Sequence, residues 1–99
     1  MPRYFTYILL CADDSYYTGM TNDLDRRIEE HDEGINEGSY TADRRPVHLV
    51  WWEDFQYVDL AIAREKQIKG WSRVKKEALI ESNDENLPAL SKKKSKIKK

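Results

Sequence analysis

Five side chains spread over the sequence have the types that phosphodiester hydrolysis needs. They are Tyr7, Tyr17, Arg27, His31 and Glu65. A lone carboxylate can hold a divalent metal ion that keeps most of its waters, and an arginine can neutralise charge on phosphoryl oxygens. A tyrosine near such positive charge loses its proton more easily. These residues form a site only if the strands and helices that carry them converge.

The two tyrosines belong to a predicted β-hairpin. Tyr4 to Cys11 is rich in β-branched and aromatic residues, and Tyr16 to Met20 reads as a second strand. If Asp13-Asp14-Ser15 is a three-residue loop with a left-handed position, Cys11 pairs with Tyr17, and both tyrosines share one face. A two-residue turn would place them on opposite faces, so the register of the hairpin decides whether a site exists.

The first helix carries the arginine and the histidine on its apolar contact line. Thr21 or Asn22 can cap this helix, which we expect to continue to about Glu33 before Gly34 ends it. Four residues recur at i, i+3, i+4 and i+7 and therefore form one stripe: Leu24, Arg27, Ile28 and His31. An arginine on this line is costly unless it is paired.

The second helix turns the carboxylate toward the sheet. Asp59 can start a helix through about Lys69, in which Ala61, Glu65 and Ile68 share a face. The other predicted elements are a loop from Gly34 to Pro46, a third strand from Val47 to Phe55 and a third helix from about Ser72 to Ser82. The order β-β-α-β-α-α predicts an α+β domain, with a three-stranded, mainly antiparallel sheet flanked by helices.

Charge and composition narrow the class of protein. Six lysines lie in the last eight residues, so eleven Lys and Arg face all eighteen Asp and Glu in the remainder. We expect one domain over residues 1–83 and a flexible lysine-rich tail over residues 84–99. An acidic body repels phosphates at long range, so nucleic-acid contact must come from a local basic cluster, the tail or a metal ion.

Cysteine usage and hydropathy predict a cytoplasmic protein. Cys11 is the single cysteine, which forms no internal disulfide and suits a reducing compartment as a packed free thiol. No apolar run reaches the roughly 18 residues of a membrane span, and the first residues lack the layout of a secretory signal. We therefore expect no membrane association, while the oligomeric state stays open.

Four segments in order along the chain resemble the GIY-YIG nucleases, in particular their small single-domain bacterial branch. Phe5-Thr6-Tyr7 stands at the first motif, although its glycine and isoleucine are absent, and Tyr17-Thr18-Gly19 stands at the second, with threonine for isoleucine. The run Asn22 to Arg27, followed by His31, resembles the family's helix. Ala63 to Trp71 resembles the segment with the metal-binding glutamate, and the whole resemblance covers roughly residues 3 to 82.

The resemblance implies a metal-dependent endonuclease whose substrate is nucleic acid, with DNA expected. Tyr7 takes the place of the general base that activates water, and Tyr17 that of the residue that orients it. Arg27 would stabilise charge on the attacked phosphate and His31 would assist by hydrogen bonding or proton transfer. Glu65 would hold one Mg²⁺ or Mn²⁺ ion, which implies single-metal, in-line hydrolysis, and a role in DNA repair is one expectation.

A set of basic residues forms a candidate rim for nucleic acid, with ordinary solvated surface as the alternative. The set consists of Arg44, Arg45, Lys69, Arg73, Lys75 and Lys76.

Three other interpretations stay open. By spacing alone, the tyrosines are ordinary amphipathic packing and the arginine an ordinary partner of a glutamate. A second interpretation is a catalytically weak or inactive nucleic-acid-binding module on the same fold. The third is a protein-interaction domain, suggested by the acidic body and the adjacent Trp51 and Trp52, although tryptophans on a strand are more often core residues.

Overall fold

Three strands form one sheet, which the chain builds in the order that the sequence predicts. In the computed structural model, which describes residues 3–34 and 40–82, the strands are β1 (Tyr4–Leu10), β2 (Tyr16–Thr21) and β3 (His48–Phe55). The helices are α1 (Leu24–Glu33), α2 (Val58–Lys69) and α3 (Arg73–Ser82). The sheet order is β2-β1-β3 and both pairings are antiparallel, which confirms the α+β class. The proposed tail, 84–99, lies outside the described residues.

The hairpin loop has the predicted length but begins one residue early. The backbone N–H of Cys11 donates to the carbonyl of Ser15 over 2.9 Å, which leaves Ala12, Asp13 and Asp14 as the loop. Asp14 takes the left-handed position, with φ 70°. The carboxylate of Asp13 accepts the backbone N–H of Ser15 over 3.0 Å, and this Asx turn keeps Ser15 at the start of the returning chain.

The earlier loop changes the partner of Tyr17 but not its face. Tyr17 pairs with Leu9 and not with Cys11, a shift of two residues from the predicted register. Because strand side chains alternate with period two, a shift of two leaves every side chain on the same side. Tyr7 and Tyr17 therefore share a face, as the three-residue loop predicts.

Each face of the sheet has its own core. On one face α1 packs Leu24 and Ile28 against Tyr7 and Leu9. On the other face α2 and α3 bring Ile68 and Ile80 onto a core with these two strand residues: Ile8 and Trp51. Full burial of each such large side chain stabilises the fold by roughly 1.5–3 kcal/mol.

The bulge in β3 determines where the side chains of the two tryptophans lie. The pairing with β1 shifts between Ile8 and Leu9, so that Trp51 and Trp52 continue the ladder with Val50 as the extra residue. Trp51 is 1% exposed in the second core, and Trp52 packs against the first core. The ring of Trp51 therefore belongs to the core and is not open to an incoming base.

The helix starts differ from the predictions in α1 and α2. The second helix begins at Val58, one residue before Asp59, with Tyr57 as its N-cap. Asp23, and not Thr21 or Asn22, caps α1, because its carboxylate accepts the backbone N–H of Arg26 over 3.1 Å. Gly34 ends the helix in the left-handed conformation, with φ 68°, as predicted. Within the described part of the chain, no helix is long and apolar enough to cross a membrane.

Candidate active site

The Tyr7 hydroxyl lies at the centre of a buried hydrogen-bonded chain. It stands 2.9 Å from Nε2 of His31, whose Nδ1 stands 2.7 Å from Oγ1 of Thr41. Tyr7 is 0% exposed, Thr41 1% and His31 4%. The last two turns of α1 therefore present His31 to β1, while the loop before β3 supplies the threonine behind it.

Burial determines which ring nitrogen of His31 carries the proton. The Tyr7 O–H is buried and needs an acceptor; the nearby Arg27 guanidinium has only donors, whereas Nε2 of His31 stands 2.9 Å away and can accept. The Tyr7 hydroxyl therefore donates to Nε2, and Nδ1–H donates to Thr41. Thr41 thus holds the imidazole in the tautomer that can accept a proton from Tyr7.

Arg27 brings positive charge to the same hydroxyl. Its guanidinium lies near enough to lower the pKa of the Tyr7 hydroxyl, and it donates to Oε1 of Glu30 over 3.0 Å. The arginine on the apolar line of α1 is therefore paired, which meets the cost expected for it.

Burial and nearby charge keep the proton of the Tyr7–His31 pair on Tyr7. Burial raises the pKa of Tyr7 to about 12, although the hydrogen bond from Arg27 acts in the opposite direction. Burial lowers the pKa of His31, and the positive charge of Arg27 lowers it further. Both groups are therefore neutral near pH 7, with the imidazole free to accept a proton.

The glycine of the second strand makes room for this arrangement. Gly19 pairs with Tyr7, and the Tyr7 ring passes directly over it toward the open edge of the sheet at β2. Tyr17, on the same strand, stands with its ring 5.2 Å from the ring of His31 and is only half-buried. Tyr17 is therefore the tyrosine of the pair that meets solvent.

Tyr40 extends the aromatic cluster to the surface. Its ring stacks on Tyr17 at 5.9 Å with an interplanar angle of 27°. The guanidinium of Arg44 covers Tyr40 at 3.9 Å from the ring centre and also pairs with Asp13 at 3.0 Å. The hairpin loop and the loop before β3 are thereby tied together over Tyr17.

Glu65 reaches the site from the opposite layer. It lies on α2 between the buried Ala61 and Ile68. Its negative charge contributes to raising the pKa of Tyr7. The Glu65 side chain is 20% exposed, and its carboxylate pairs with Nζ of Lys69 at 3.0 Å. Helices from both faces of the sheet therefore act on one hydroxyl at the β2 edge.

Glu65 is the carboxylate that the sequence resemblance predicts to hold a metal ion. Within residues 3–34 and 40–82, no group of three His, Cys, Asp or Glu side chains stands close enough to enclose a metal. One carboxylate fits an ion such as Mg²⁺, which keeps several waters and completes its shell with phosphate oxygens. Glu65 as the ligand of a single metal ion therefore stays a prediction.

The basic residues of the predicted rim are mostly engaged within the chain. Arg45 donates to the carbonyls of Ala42 and Asp32, and Arg73 pairs with Glu77. Lys75 lies over the ring of Trp71 at 4.6 Å. Arg44 and Lys69 have the carboxylate partners given above, and Lys76 is half-buried on α3.

Sequence reasoning missed Thr41 and Tyr40. Both lie in the polar stretch between α1 and β3, where no hydrophobic periodicity points to a buried face. Only the tertiary structure shows that Thr41 contacts His31 and that Tyr40 stacks on Tyr17. The five side chains named from the sequence do converge on the same end of the sheet.

Known proteins resemble the chain over nearly all of its described length. The model of the GIY-YIG catalytic domain matches residues 3–78. A UPF0213 protein of Natronomonas pharaonis is 47% identical over 78 residues, which are 78% of this chain and 89% of that protein. A UPF0213 protein of Staphylococcus aureus is 44% identical over 80 residues, 81% of this chain and 96% of that protein.

Two solved structures share the fold. The solution NMR structure of a UPF0213 protein of Bacillus halodurans has a TM-score of 0.58 at 38% identity, and the match covers 91% of this chain and 93% of that one. The solution NMR structure of an E. faecalis protein also has a TM-score of 0.58, at 32% identity, over 83% and 86% of the two chains. The chain therefore belongs to the GIY-YIG catalytic domain family.

Proposed function

We propose that this chain is an endonuclease that hydrolyses phosphodiester bonds in nucleic acid, with DNA as the expected substrate, one divalent metal ion and a tyrosine general base. The observation that carries the proposal is the hydrogen bond from the buried Tyr7 hydroxyl to His31, with the positive charge of Arg27 beside it. Family membership supports the nuclease class. A nucleic-acid substrate suits a cytoplasmic protein, which is part of the proposal.

The Tyr7–His31 pair would relay the proton of the attacking water away from the reaction centre. As water attacks the phosphorus, its proton moves to the Tyr7 oxygen while the hydroxyl proton moves to Nε2 of His31. The resulting imidazolium is stabilised by the Nδ1–H bond to Thr41. Because its pKa is lowered, His31 then releases this proton to the solvent, and the leaving oxygen takes a proton from water.

Burial of Tyr7 requires movement before attack. Water contacts the hydroxyl only after the side chains above it shift, and Arg27 is the one that a phosphate would attract. Its guanidinium can bind two phosphoryl oxygens at once, which neutralises the charge that grows on them. Tyr17, half-exposed beside it, would orient the incoming water.

Glu65 would hold the metal ion after release from Lys69. When bound, the ion would stabilise negative charge on the leaving oxygen. Mg²⁺ and Mn²⁺ both favour carboxylate, water and phosphate oxygens.

The test is cleavage of labelled DNA and RNA substrates with Mg²⁺ or Mn²⁺ by the wild type and three variants. Tyr7→Phe and Glu65→Ala should each lose cleavage by at least about a hundredfold, the scale of one lost base or charge stabiliser. Glu77→Ala is the matched control, since Glu77 pairs with Arg73 at i and i+4 on α3 as Glu65 pairs with Lys69 on α2.

Two outcomes contradict the proposal. Activity that survives Glu65→Ala removes the metal assignment. Binding without cleavage by folded wild type on every substrate would identify a nucleic-acid-binding module instead.

A further inference from the structure

A cleft of about 360 Å³ opens beside the proposed active site, at the edge of the sheet where β2 leads into α1. One wall is apolar and consists of Tyr4, Met20 and Val58. The other wall is polar and carries two positive charges and one negative charge; it consists of Thr21, Asn22, Arg26, Arg27 and Glu30. The volume lies in the range of pockets that hold small organic groups.

Arg27 joins this cleft to the catalytic hydroxyl. The same guanidinium lines the cleft and acts on Tyr7. On the other side, Val58 and Glu65 are seven residues apart on α2, so they share a face at a spacing of about 10 Å along the helix. The cleft therefore begins at Arg27, one of the two side chains that would contact the phosphate.

The chemistry of the walls suits a nucleobase. The half-buried ring of Tyr4 provides an aromatic surface, and bases stack on such rings. Asn22 is exposed, and its amide has both donors and an acceptor for a base edge. Arg26 is 60% exposed on its side chain and meets Glu30 only at 3.8 Å, so it is available for a neighbouring phosphate.

We propose that this cleft binds the base of an unpaired nucleotide next to the cleaved phosphate, an inference that rests on the proposed nuclease function and narrows its substrate class. A base inside a duplex has both faces stacked and its pairing edge engaged. Only a base outside the stack can place its face on Tyr4 and its edge on Asn22. The substrate is therefore a nucleic acid with at least one unpaired nucleotide at the cleavage site.

The test measures binding without metal and without cleavage. Amide NMR spectra of the wild type are recorded during titration with deoxyadenosine 5′-monophosphate and, separately, with 2-deoxyribose 5-phosphate, which lacks the base. The nucleotide should shift the amides of Tyr4, Asn22 and Arg27 and bind at least about fivefold more tightly, as expected for one base stacked on an aromatic ring. The sugar phosphate should shift the surroundings of Arg27 alone.

Two tyrosine variants then locate the base. Tyr4→Leu should abolish the preference for the nucleotide, whereas Tyr16→Leu should keep it. Tyr16 is likewise a half-buried strand tyrosine, but it stands at the far end of the hairpin under Arg73. Should Tyr4→Leu fail to fold, Asn22→Ala changes only an exposed side chain and should weaken nucleotide binding while leaving sugar-phosphate binding unchanged.

Equal affinity for the two ligands, or the absence of shifts at Tyr4 and Asn22, would overturn the base pocket. So would equal loss of preference in Tyr4→Leu and Tyr16→Leu. These results are distinguishable from failure of the nuclease proposal, because a protein that binds the base without cleaving DNA or RNA keeps the pocket and loses only the enzyme assignment.

Discussion

The Tyr7 hydroxyl lies 2.5 Å from the position that a Cβ atom on Gly19 would occupy, and the ring carbon Cζ lies 2.6 Å from it. The two residues are cross-strand partners in the hairpin. A side chain at Gly19 would therefore collide with the atoms that face His31. This close approach explains why a glycine is needed at the position, without any appeal to unusual backbone angles.

Gly19→Ala should displace the Tyr7 ring and break its alignment with Nε2 of His31. We expect a loss of about 1–3 kcal/mol in the free energy of unfolding, the usual cost of overpacking a core, and a loss of cleavage of at least about tenfold. Urea denaturation and the cleavage assay measure the two effects. Gly70→Ala is the control, because the nearest atom to its added Cβ is 3.6 Å away and its φ is an ordinary −83°. Equal behaviour of the two variants would remove this role of Gly19.

Thr41→Val should leave Nδ1–H of His31 buried without an acceptor. The expected destabilisation is about 1–3 kcal/mol, the cost of an unsatisfied buried donor, together with a change of tautomer visible in the ¹⁵N shifts of the imidazole. Thr41→Ser keeps the oxygen and should keep both the tautomer and the cleavage rate. A valine variant with wild-type ¹⁵N shifts would show that Thr41 does not position His31.

Stability should fall as the pH falls below about 6.5. Burial lowers the pKa of His31 in the folded protein, so between that lowered value and the ordinary 6.5 the unfolded chain binds more protons than the folded one. Unfolding is then favoured by acid in this window. Urea denaturation at several pH values should show a weaker dependence there for His31→Gln. His48→Gln, at an exposed position on β3, should retain the wild-type dependence. An unchanged dependence in His31→Gln would contradict the assignment.

Lys69→Met should strengthen divalent metal binding. The Lys69 ammonium forms an ion pair with the Glu65 carboxylate at 3.0 Å. A metal ion that binds Glu65 must displace this ammonium group. Removing a partly exposed i, i+4 ion pair of this kind changes stability little, by about 0.3–0.5 kcal/mol, while the metal affinity should rise about twofold or more. Paramagnetic broadening by Mn²⁺, followed at the amides around Glu65, measures the affinity. Lys66→Met, three residues away on an exposed part of α2, is the matched control. Weaker Mn²⁺ binding in Lys69→Met than in Lys66→Met would rule out this competition.

Strand and helix periodicity predicted most of the fold and the convergence of the candidate site. The i, i+3, i+4, i+7 stripe of α1 turns Arg27 and His31 toward the sheet, as its spacing indicates, because a helix must bury its apolar line. The loop began one residue earlier than predicted, yet the face of Tyr17 was still correct. Strand side chains alternate between the two faces of the sheet, so a register error of two residues leaves each side chain on the predicted face.

Two groups of residues depended on contacts that no local pattern encodes. Thr41 and Tyr40 lie in an aperiodic stretch, and their partners His31 and Tyr17 are ten or more residues away along the chain. The basic residues gave a similar result, because a charge in a sequence does not reveal whether it faces a phosphate or a carboxylate of the same chain. Arg44 and Arg73 have both charged and aromatic partners within the fold.

The sequence by itself therefore determined the order of elements and the residue types available for catalysis, whereas it made the shared face of the tyrosines depend on the length of the hairpin loop. Each of these follows from periodicity and short-range turn chemistry. Only the tertiary structure decided which hydroxyl is buried, which nitrogen of His31 accepts its proton and where a cleft opens beside Arg27. Those properties depend on distances of about 3 Å between groups from different elements, and such distances arise only when the layers pack together.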